Sequence, residues 1–288
     1  MAVSRPALLA ALSMLGAAAL WGVTGGTVAG LDVGGAAAAS AVELVTGVVL
    51  TGLAAAAGHR PRAVLAALGG RRLALLGAVE AVNVLCYYVA LQLAPVGPVM
   101  AVHLLAPVLL TVAALVRGRR RLTPVRALSL AMVCTALLVI AAGPADRDAY
   151  PYAVVGLALS LVSAGCLAVF VTTVSRSAND APPIAAAGLQ MFVSGLLLAP
   201  ALAQFRAYPQ DFLILILLGL AVFAPACWLY WYAMRRLTPI VASTVLLTEP
   251  LFGPPAAALL YAATPDAAQV AAMALVLVAT YLELVATT

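Results

Sequence analysis

Long apolar stretches, separated by short polar breaks or breaks rich in proline and glycine, make up most of this 288-residue chain. A membrane-spanning helix needs about 20 mostly apolar residues to cross roughly 30 Å of hydrocarbon. The pattern therefore predicts an all-α membrane protein of ten spans, with almost no sequence left for a soluble domain. Spans one to ten are predicted near 7–27, 36–57, 73–93, 96–116, 124–142, 151–173, 184–203, 212–233, 240–261 and 267–285.

Arginine is the only basic residue type apart from two histidines, and its positions predict the orientation of the spans. Basic loops resist translocation across a membrane. With the N-terminus in the cytoplasm, only Arg147 and Arg206 fall outside, whereas the outer loops carry five aspartates: Asp32, Asp146, Asp148, Asp211 and Asp266. Both chain ends are therefore predicted to be cytoplasmic. The inner arginines are Arg5, Arg60, Arg62, Arg71, Arg72, Arg117, Arg119, Arg120, Arg121, Arg126, Arg176, Arg235 and Arg236.

Composition agrees with a multi-pass membrane protein, since 65% of the residues are hydrophobic and 9% are charged. We expect it to lie in the plasma membrane. The net charge of +5 indicates topology and contact with anionic headgroups, not nucleic-acid binding. All four cysteines lie within predicted spans and are interpreted as packing residues. Arg5 followed by an apolar run is also the pattern of a signal peptide, whose cleavage would leave nine spans. We expect this segment to be retained as span one.

Several short motifs occur twice in the same order. TPVRALSLAM (123–132) opens span five and TPDAAQVAAM (264–273) opens span ten, sharing Thr-Pro, an alanine and a closing Ala-Met. Pro107 in span four likewise pairs with Pro250 in span nine. Recurrence at nearly constant separation indicates an internal repeat.

The two predicted repeats comprise residues 1–145 and 146–288, with five spans each. Because five is odd, the second repeat enters the membrane in the opposite direction to the first. Inverted repeats are typical of many alternating-access transporters, in which substrate binds at the interface between the halves. Channels and some membrane enzymes contain them too.

At the level of motifs, the chain resembles the EamA-type members of the drug/metabolite transporter superfamily. The resemblance lies in the ten-span repeat, in Leu-Trp-Gly at 20–22 and in Leu-Thr-Glu-Pro at 247–250. Within that group, LQLAPVGPV at 91–99 and the Glu-Pro of span nine look most like the threonine/homoserine exporter branch. The resemblance implies export of a small metabolite.

Ionisable side chains inside spans cost free energy and usually face the protein interior or a water-filled cavity. Glu249 is predicted near the membrane midplane, where it would hold a substrate ammonium group or exchange a proton. Glu80, Asn83 and Tyr87 share one face of span three and would supply polar contacts from the other half. Each of these side chains would otherwise form hydrogen bonds between helices only.

Further candidates lie on other spans. Glu43 in span two would bind substrate or pair across helices, and His103 in span four would relay protons or only form a hydrogen bond. Trp21, Trp228 and Trp231 are candidates for a gate or an aromatic wall, although an interfacial belt is also typical of tryptophan near span ends. Prolines predict helix breaks or hinges at four positions, Pro98, Pro107, Pro239 and Pro250.

These features favour a secondary transporter of amino acids or related compounds, with a site built from spans one, three, four, six, eight and nine. Efflux of lipophilic cations or drugs is the alternative if the cavity is mostly aromatic and apolar. A membrane-embedded enzyme acting on a lipid-linked substrate is the contrasting class. No ATP-binding, metal-binding or voltage-sensing motif is present in the sequence, so no cofactor or metal is expected. Protons are the candidate coupling ion, and the sequence leaves a homodimer open.

Overall fold

The computed structural model describes residues 5–118, 123–141, 150–204 and 208–261, and ten residues between 267 and 282. This part of the chain is helical and contains no strand. Its α-helices are α1 (Arg5–Val28), α2 (Gly35–Ala56), α3 (Pro61–Leu68), α4 (Gly70–Leu93), α5 (Val96–His103), α6 (Ala106–Val116), α7 (Pro124–Ala141), α8 (Ala153–Ser175), α9 (Pro183–Leu198), α10 (Pro209–Leu217), α11 (Ala224–Met234), α12 (Pro239–Leu246) and α13 (Gly253–Tyr261).

Eight helical segments in the described residues are long and apolar enough to cross a membrane. They confirm predicted spans one to four and six to nine as helices. Five of them are α1, α2, α4, α8 and α9, the last extended by a 3-10 turn over Ala199–Gln204. The other three are interrupted helices: α5 with α6, α10 with α11, and α12 with α13.

Spans five and ten are not established in the same way. Helix α7 covers predicted span five, and its described residues Ala127–Ala136 form an apolar helical stretch. Most of span ten lies outside the described residues. So do the charged positions 119–121, 146–148, 206 and 266, which enter the predicted orientation, and the Thr-Pro pair at 264–265, which enters the predicted repeat.

Helix α3 was not predicted. Pro61 occupies its first turn, where the missing N–H is not needed. Val64 and Leu68, four residues apart, are buried on one face, while Arg60 and Arg62 are exposed. Gly69 then adopts a φ of +80°, which a glycine tolerates without strain, and α4 begins immediately afterwards. The amphipathic pattern at 60–68, with Val64 and Leu68 one helical turn apart, is the signal that predicts this helix.

Two prolines break spans four and nine at corresponding points. Helix α5 ends at His103, four residues before Pro107, and α12 ends at Leu246, four residues before Pro250. A proline has no N–H to donate to the carbonyl four residues earlier, so the helical hydrogen bonding stops at these positions. A 3-10 turn, Glu249–Leu251, then precedes α13. Both breaks lie within the membrane-spanning segments.

Span eight has a different irregularity. Residues Leu218–Phe223 form a π-helical turn just before Pro225, which again lacks an N–H. The N–H of Ala224 reaches five residues back to the carbonyl of Gly219. That carbonyl also accepts a 2.9 Å hydrogen bond from Thr46 Oγ1 of α2, so the turn is held by a neighbouring span.

The helices pack most extensively in pairs drawn from opposite halves of the chain. Helix α2 contacts α9, α4 contacts α8, and α1 contacts both α11 and α13. Glycines permit the closest approaches. An added Cβ at Gly47 would clash with the backbone of Phe192, and one at Gly26 would clash with the carbonyl of Gly253. Small residues at such crossings let helix backbones approach in a membrane, where packing and not hydrophobicity drives association.

Every arginine that the structure describes lies at one end of the helix bundle. This end contains the start of α1, the loops after α2, α6 and α8, and the end of α11. Arg72 Nη1 and Asp180 Oδ2 are 2.7 Å apart there and join the first half of the chain to the second. Asp32 and Asp211 lie at the opposite end. The bundle therefore has one basic end.

Replacing Gly47 by alanine tests the close packing of α2 on α9. The added methyl group must displace backbone, so we expect a loss of about 1–3 kcal/mol in the free energy of unfolding. Gly52→Ala is the matched control on the same helix, because a Cβ there meets nothing within 4 Å. Unfolding in detergent, followed by circular dichroism, measures both variants. Equal stability of the two variants would contradict this packing.

Candidate functional site

A small cavity lies in the middle of the bundle, between helices of both halves. The space open to the centres of water molecules is about 40 Å³, enough for about three waters. Its walls come from α1, α4, α5, α8, the π-helical turn, α12 and the 3-10 turn. The lining residues are Trp21, Thr24, Gly25, Glu80, Asn83, Val84, Tyr87, Tyr88, His103, Leu167, Phe170, Phe223, Leu246 and Glu249. Spans one, three, four, six, eight and nine thus all reach it.

Helix α4 contributes the polar wall. Glu80, Asn83 and Tyr87 are buried and line the cavity together. Their i, i+3, i+7 spacing turns all three side chains to one side of the helix. Val84 and Tyr88, the residues that follow Asn83 and Tyr87, also line the cavity.

Glu249 faces this wall from the second half of the chain. It begins the 3-10 turn after the break in span nine and is almost completely buried. Tyr87 Oη lies 3.3 Å from Glu249 Oε1, to which it donates a hydrogen bond. The ring of Tyr87 also stacks on the imidazole of His103, with centroids 4.3 Å apart. Tyr87 therefore connects the carboxyl group of span nine to the histidine of span four.

A second chain of hydrogen bonds connects His103 to Glu80. The Ser163 hydroxyl on α8 lies 2.8 Å from Asn83 Oδ1 and 3.0 Å from the Asn83 carbonyl oxygen, and both of these atoms only accept. Ser163 must therefore donate its proton to Asn83, and it accepts from His103 Nδ1, 2.8 Å away. Asn83 Nδ2 donates in turn to Glu80 Oε2 at 3.4 Å. This chain fixes the imidazole with its proton on Nδ1.

Aromatic rings form the opposite wall. Trp21 packs on Tyr230 and Phe223 at centroid distances of 5.1 and 6.4 Å. Phe170 stacks on Tyr230 at 5.5 Å. Two donors on cavity-lining residues, Trp21 Nε1 and Tyr88 Oη, are buried without a hydrogen bond of good geometry in the described structure. Trp21 lies close to the Cys227 thiol of α11.

The charged side chains that line the cavity are acidic. Glu80 and Glu249 supply two carboxyl groups, and no arginine or lysine is among the described residues that line the cavity. His103 is the single other ionisable group besides the tyrosines. Such a cavity complements a positively charged group enclosed by aromatic surface.

Three predicted site residues lie elsewhere. Glu43 is buried between α2 and α9 beside Ser194, and it does not line the cavity. Trp231 is also buried and donates from Nε1 to Gln190 Oε1 at 2.9 Å, where it joins α11 to α9. Trp228 is 44% exposed on the outside of the bundle. Of the three predicted tryptophans, only Trp21 reaches the cavity.

Two of the four prolines predicted to break helices do not do so. Pro98 lies in the first turn of α5 and Pro239 is the first residue of α12. The N–H groups of a first turn have no acceptor within the helix, so proline removes no bond at these positions. Pro239 instead follows Thr238, whose side chain accepts from the N–H of Val241 and caps α12. Only Pro107 and Pro250 mark breaks.

Sequence reasoning missed Ser163, Phe170 and Phe223. Ser160, Ser163 and Phe170 follow an i, i+3, i+10 spacing on α8, so one face of this helix carries both hydroxyls and the ring. This stripe is a signal that could have identified Ser163 as a partner of span three. Phe223 was not predictable in the same way, because the π-helical turn changes the direction in which it points.

Residues 154–285 match the EamA-like transporter family. The matched segment lies in the second half of the chain and includes Leu167, Phe170, Phe223, Leu246 and Glu249 of the cavity lining. The match agrees with a multi-pass membrane protein. The resemblance to the threonine/homoserine exporter branch stays a prediction.

A solved crystal structure of another protein has the same fold. The two chains are 19% identical and superpose with a TM-score of 0.71 over 98% of each chain. At this identity the likeness concerns the fold alone. The comparison with curated proteins finds no match for the sequence.

Ser163→Ala tests the hydrogen-bonded chain. The change leaves His103 Nδ1 and Asn83 Oδ1 without their shared partner, so we expect the free energy of unfolding to fall by about 1–3 kcal/mol. Ser13→Ala is the control, because the Ser13 hydroxyl bonds only to the Leu9 carbonyl of its own helix. Thermal unfolding in detergent measures both variants. A Ser163→Ala protein as stable as Ser13→Ala would contradict the proposed chain.

Proposed function

We propose that this protein is a secondary transporter that moves a small organic cation across the membrane by alternating access. The observation that supports this most strongly is the charge of the central cavity. It holds two carboxyl groups and a wall of aromatic rings, and the part of its lining that the structure describes includes no arginine or lysine. The match to EamA-like transporters favours transport over the membrane-enzyme alternative.

A cation is the substrate class that this lining stabilises. An isolated carboxylate in a low-dielectric site is costly, and an enclosed opposite charge reduces that cost. An organic ammonium group also gains from the faces of Trp21, Tyr87 and Phe170, since aromatic quadrupoles attract cations by about 0.5–2 kcal/mol each. Glu249 is the group that we assign to the positive charge, because it lies beside the helix break and contacts the other half through Tyr87.

The helix pairing supports the inverted repeat that alternating access needs. An inverted repeat makes span one equivalent to span six, span three to span eight, and so on. The contact between spans three and six (α4 with α8) then corresponds to the contact between spans eight and one (α11 with α1), and both are present. The contact of α2 with α9, between spans two and seven, is exchanged with itself. Two equivalent halves could thus open the cavity to either side in turn.

The cavity must widen to accept such a substrate, since about 40 Å³ of free space holds water but not an organic ion. The breaks at Pro107 and Pro250 provide the hinges, because α5 and α12 end there and Glu249 lies in the second break. Outward transport through the plasma membrane, with cytoplasmic chain ends and proton exchange at Glu249, is the working form of this proposal. A homodimer is not required by it.

A zwitterionic amino acid is the second candidate. The buried donors of Trp21 and Tyr88 beside the cavity are the observation in its favour, because they can bind a carboxylate in a widened cavity while Glu249 binds the ammonium group. No arginine or lysine of the described lining assists them. Competition between the two substrate classes therefore decides between these candidates.

Counterflow in proteoliposomes tests the proposal without knowledge of the coupling ion. We expect labelled tetraphenylphosphonium to exchange in wild type, and labelled threonine to exchange much more slowly. Glu249→Gln should reduce cation exchange by roughly 30-fold or more, because loss of one partner of a buried charge pair costs about 2–5 kcal/mol. Glu43→Gln is the matched control, since this buried glutamate lies outside the cavity.

Equal losses in the two glutamate variants would show that the effect is not specific to the cavity. Exchange of threonine without exchange of the cation would overturn the cation proposal in favour of the amino acid. Exchange of neither, in protein whose fold is verified by circular dichroism, would contradict both substrate classes.

A further inference from the structure

A second pocket, away from the central cavity, opens at the basic end of the bundle. Its volume is about 480 Å³, and it lies where the start of α1, the loop after α8 and the end of α11 meet. The lining residues are Pro6, Ala7, Asn179, Tyr232, Arg235 and Arg236. Unlike in the central cavity, the charged side chains among its described lining residues are both basic.

The two arginines are available to a ligand. Arg235 Nε donates to Asn179 Oδ1 at 3.3 Å, which holds the side chain over the pocket. The terminal nitrogens of Arg235 and Arg236 have no acidic partner among the described residues, because Asp180, the nearby carboxylate of the same loop, pairs with Arg72. Guanidinium groups bind phosphate with paired, charge-assisted hydrogen bonds.

Apolar side chains are exposed on α1 and α11, the two helices that line the pocket. Trp228 and Tyr232 are exposed one helical turn apart on α11, and Leu8 and Leu12 are exposed one turn apart on α1. The two helices are in contact. Exposed aromatic and aliphatic side chains on the two helices that line a basic pocket are the arrangement that a phospholipid complements, with its phosphate at the arginines and its acyl chains along the helices.

We propose that this pocket binds the phosphate headgroup of an anionic phospholipid. The site is independent of the transported substrate, because none of its lining residues contributes to the central cavity. Phosphate from a soluble metabolite shares the same headgroup chemistry, but it would not use the apolar surface of Trp228 and Leu8. The apolar surface is why we commit to a lipid.

Native mass spectrometry of the full chain in detergent tests the site with phosphatidylglycerol as the probe. We expect Arg235→Gln/Arg236→Gln to weaken phosphatidylglycerol binding by about tenfold or more, because each basic residue near a phosphate contributes roughly fivefold. Arg60→Gln/Arg62→Gln removes the same charge from the same end of the bundle, outside the pocket. That control should change binding much less, because it leaves both guanidinium groups of the pocket in place.

Two further measurements and one fallback variant complete the test. Arg235→Lys/Arg236→Lys should retain part of the binding, and millimolar inorganic phosphate should not displace the lipid from wild type. Equal losses in the two glutamine pairs would overturn the proposal in favour of general surface attraction. Displacement by free phosphate would overturn it in favour of a soluble anion. If the double variant fails to fold, Arg236→Gln alone provides the comparison, and unchanged lipid binding there would also contradict the site.

Discussion

Spans four and nine each lose helical hydrogen bonds in the middle of the membrane, because a proline follows the last helical residue by four positions. Unpaired peptide groups are tolerated at that depth only where they are buried in protein or face a polar cavity. Both breaks must therefore lie inside the bundle, and the remaining helices have to pack around them. Gly22 and Gly26 of α1 do this at the second break, where any side chain would meet the backbone of span nine. The position of Glu249 at the cavity is a consequence of the same constraint.

Around these breaks, a continuous polar network links the halves of the chain. Tyr87 bonds to Glu249 and stacks on His103, while Ser163 joins His103 to Asn83. A buried network in which most members have partners holds one arrangement firmly. In the proposed function, a bound cation would replace the contact between Tyr87 and Glu249.

Much of this organisation is predictable from the sequence, and the exceptions have physical reasons. Hydrophobic length predicts the spans, and the spacing of Glu80, Asn83 and Tyr87 predicts that they share a face. Depth in the membrane alone does not distinguish Glu249, which reaches the cavity, from Glu43, which lies between α2 and α9. Only the packing of helices separates them. A proline pattern likewise does not distinguish Pro107, which breaks a helix, from Pro98, which begins one. That difference depends on where the helix starts.

The central claim is that the cavity at the two proline breaks opens to both sides of the membrane in turn. Leu246, the last residue of α12, is buried at the cavity and offers the most direct position for a test. Leu246→Cys, in a protein whose four native cysteines are replaced by serine or alanine, is exposed in sealed vesicles to a membrane-impermeant maleimide from either side. We predict labelling from both sides, with substrate slowing it. Labelling from one side only, or from neither, would contradict the account.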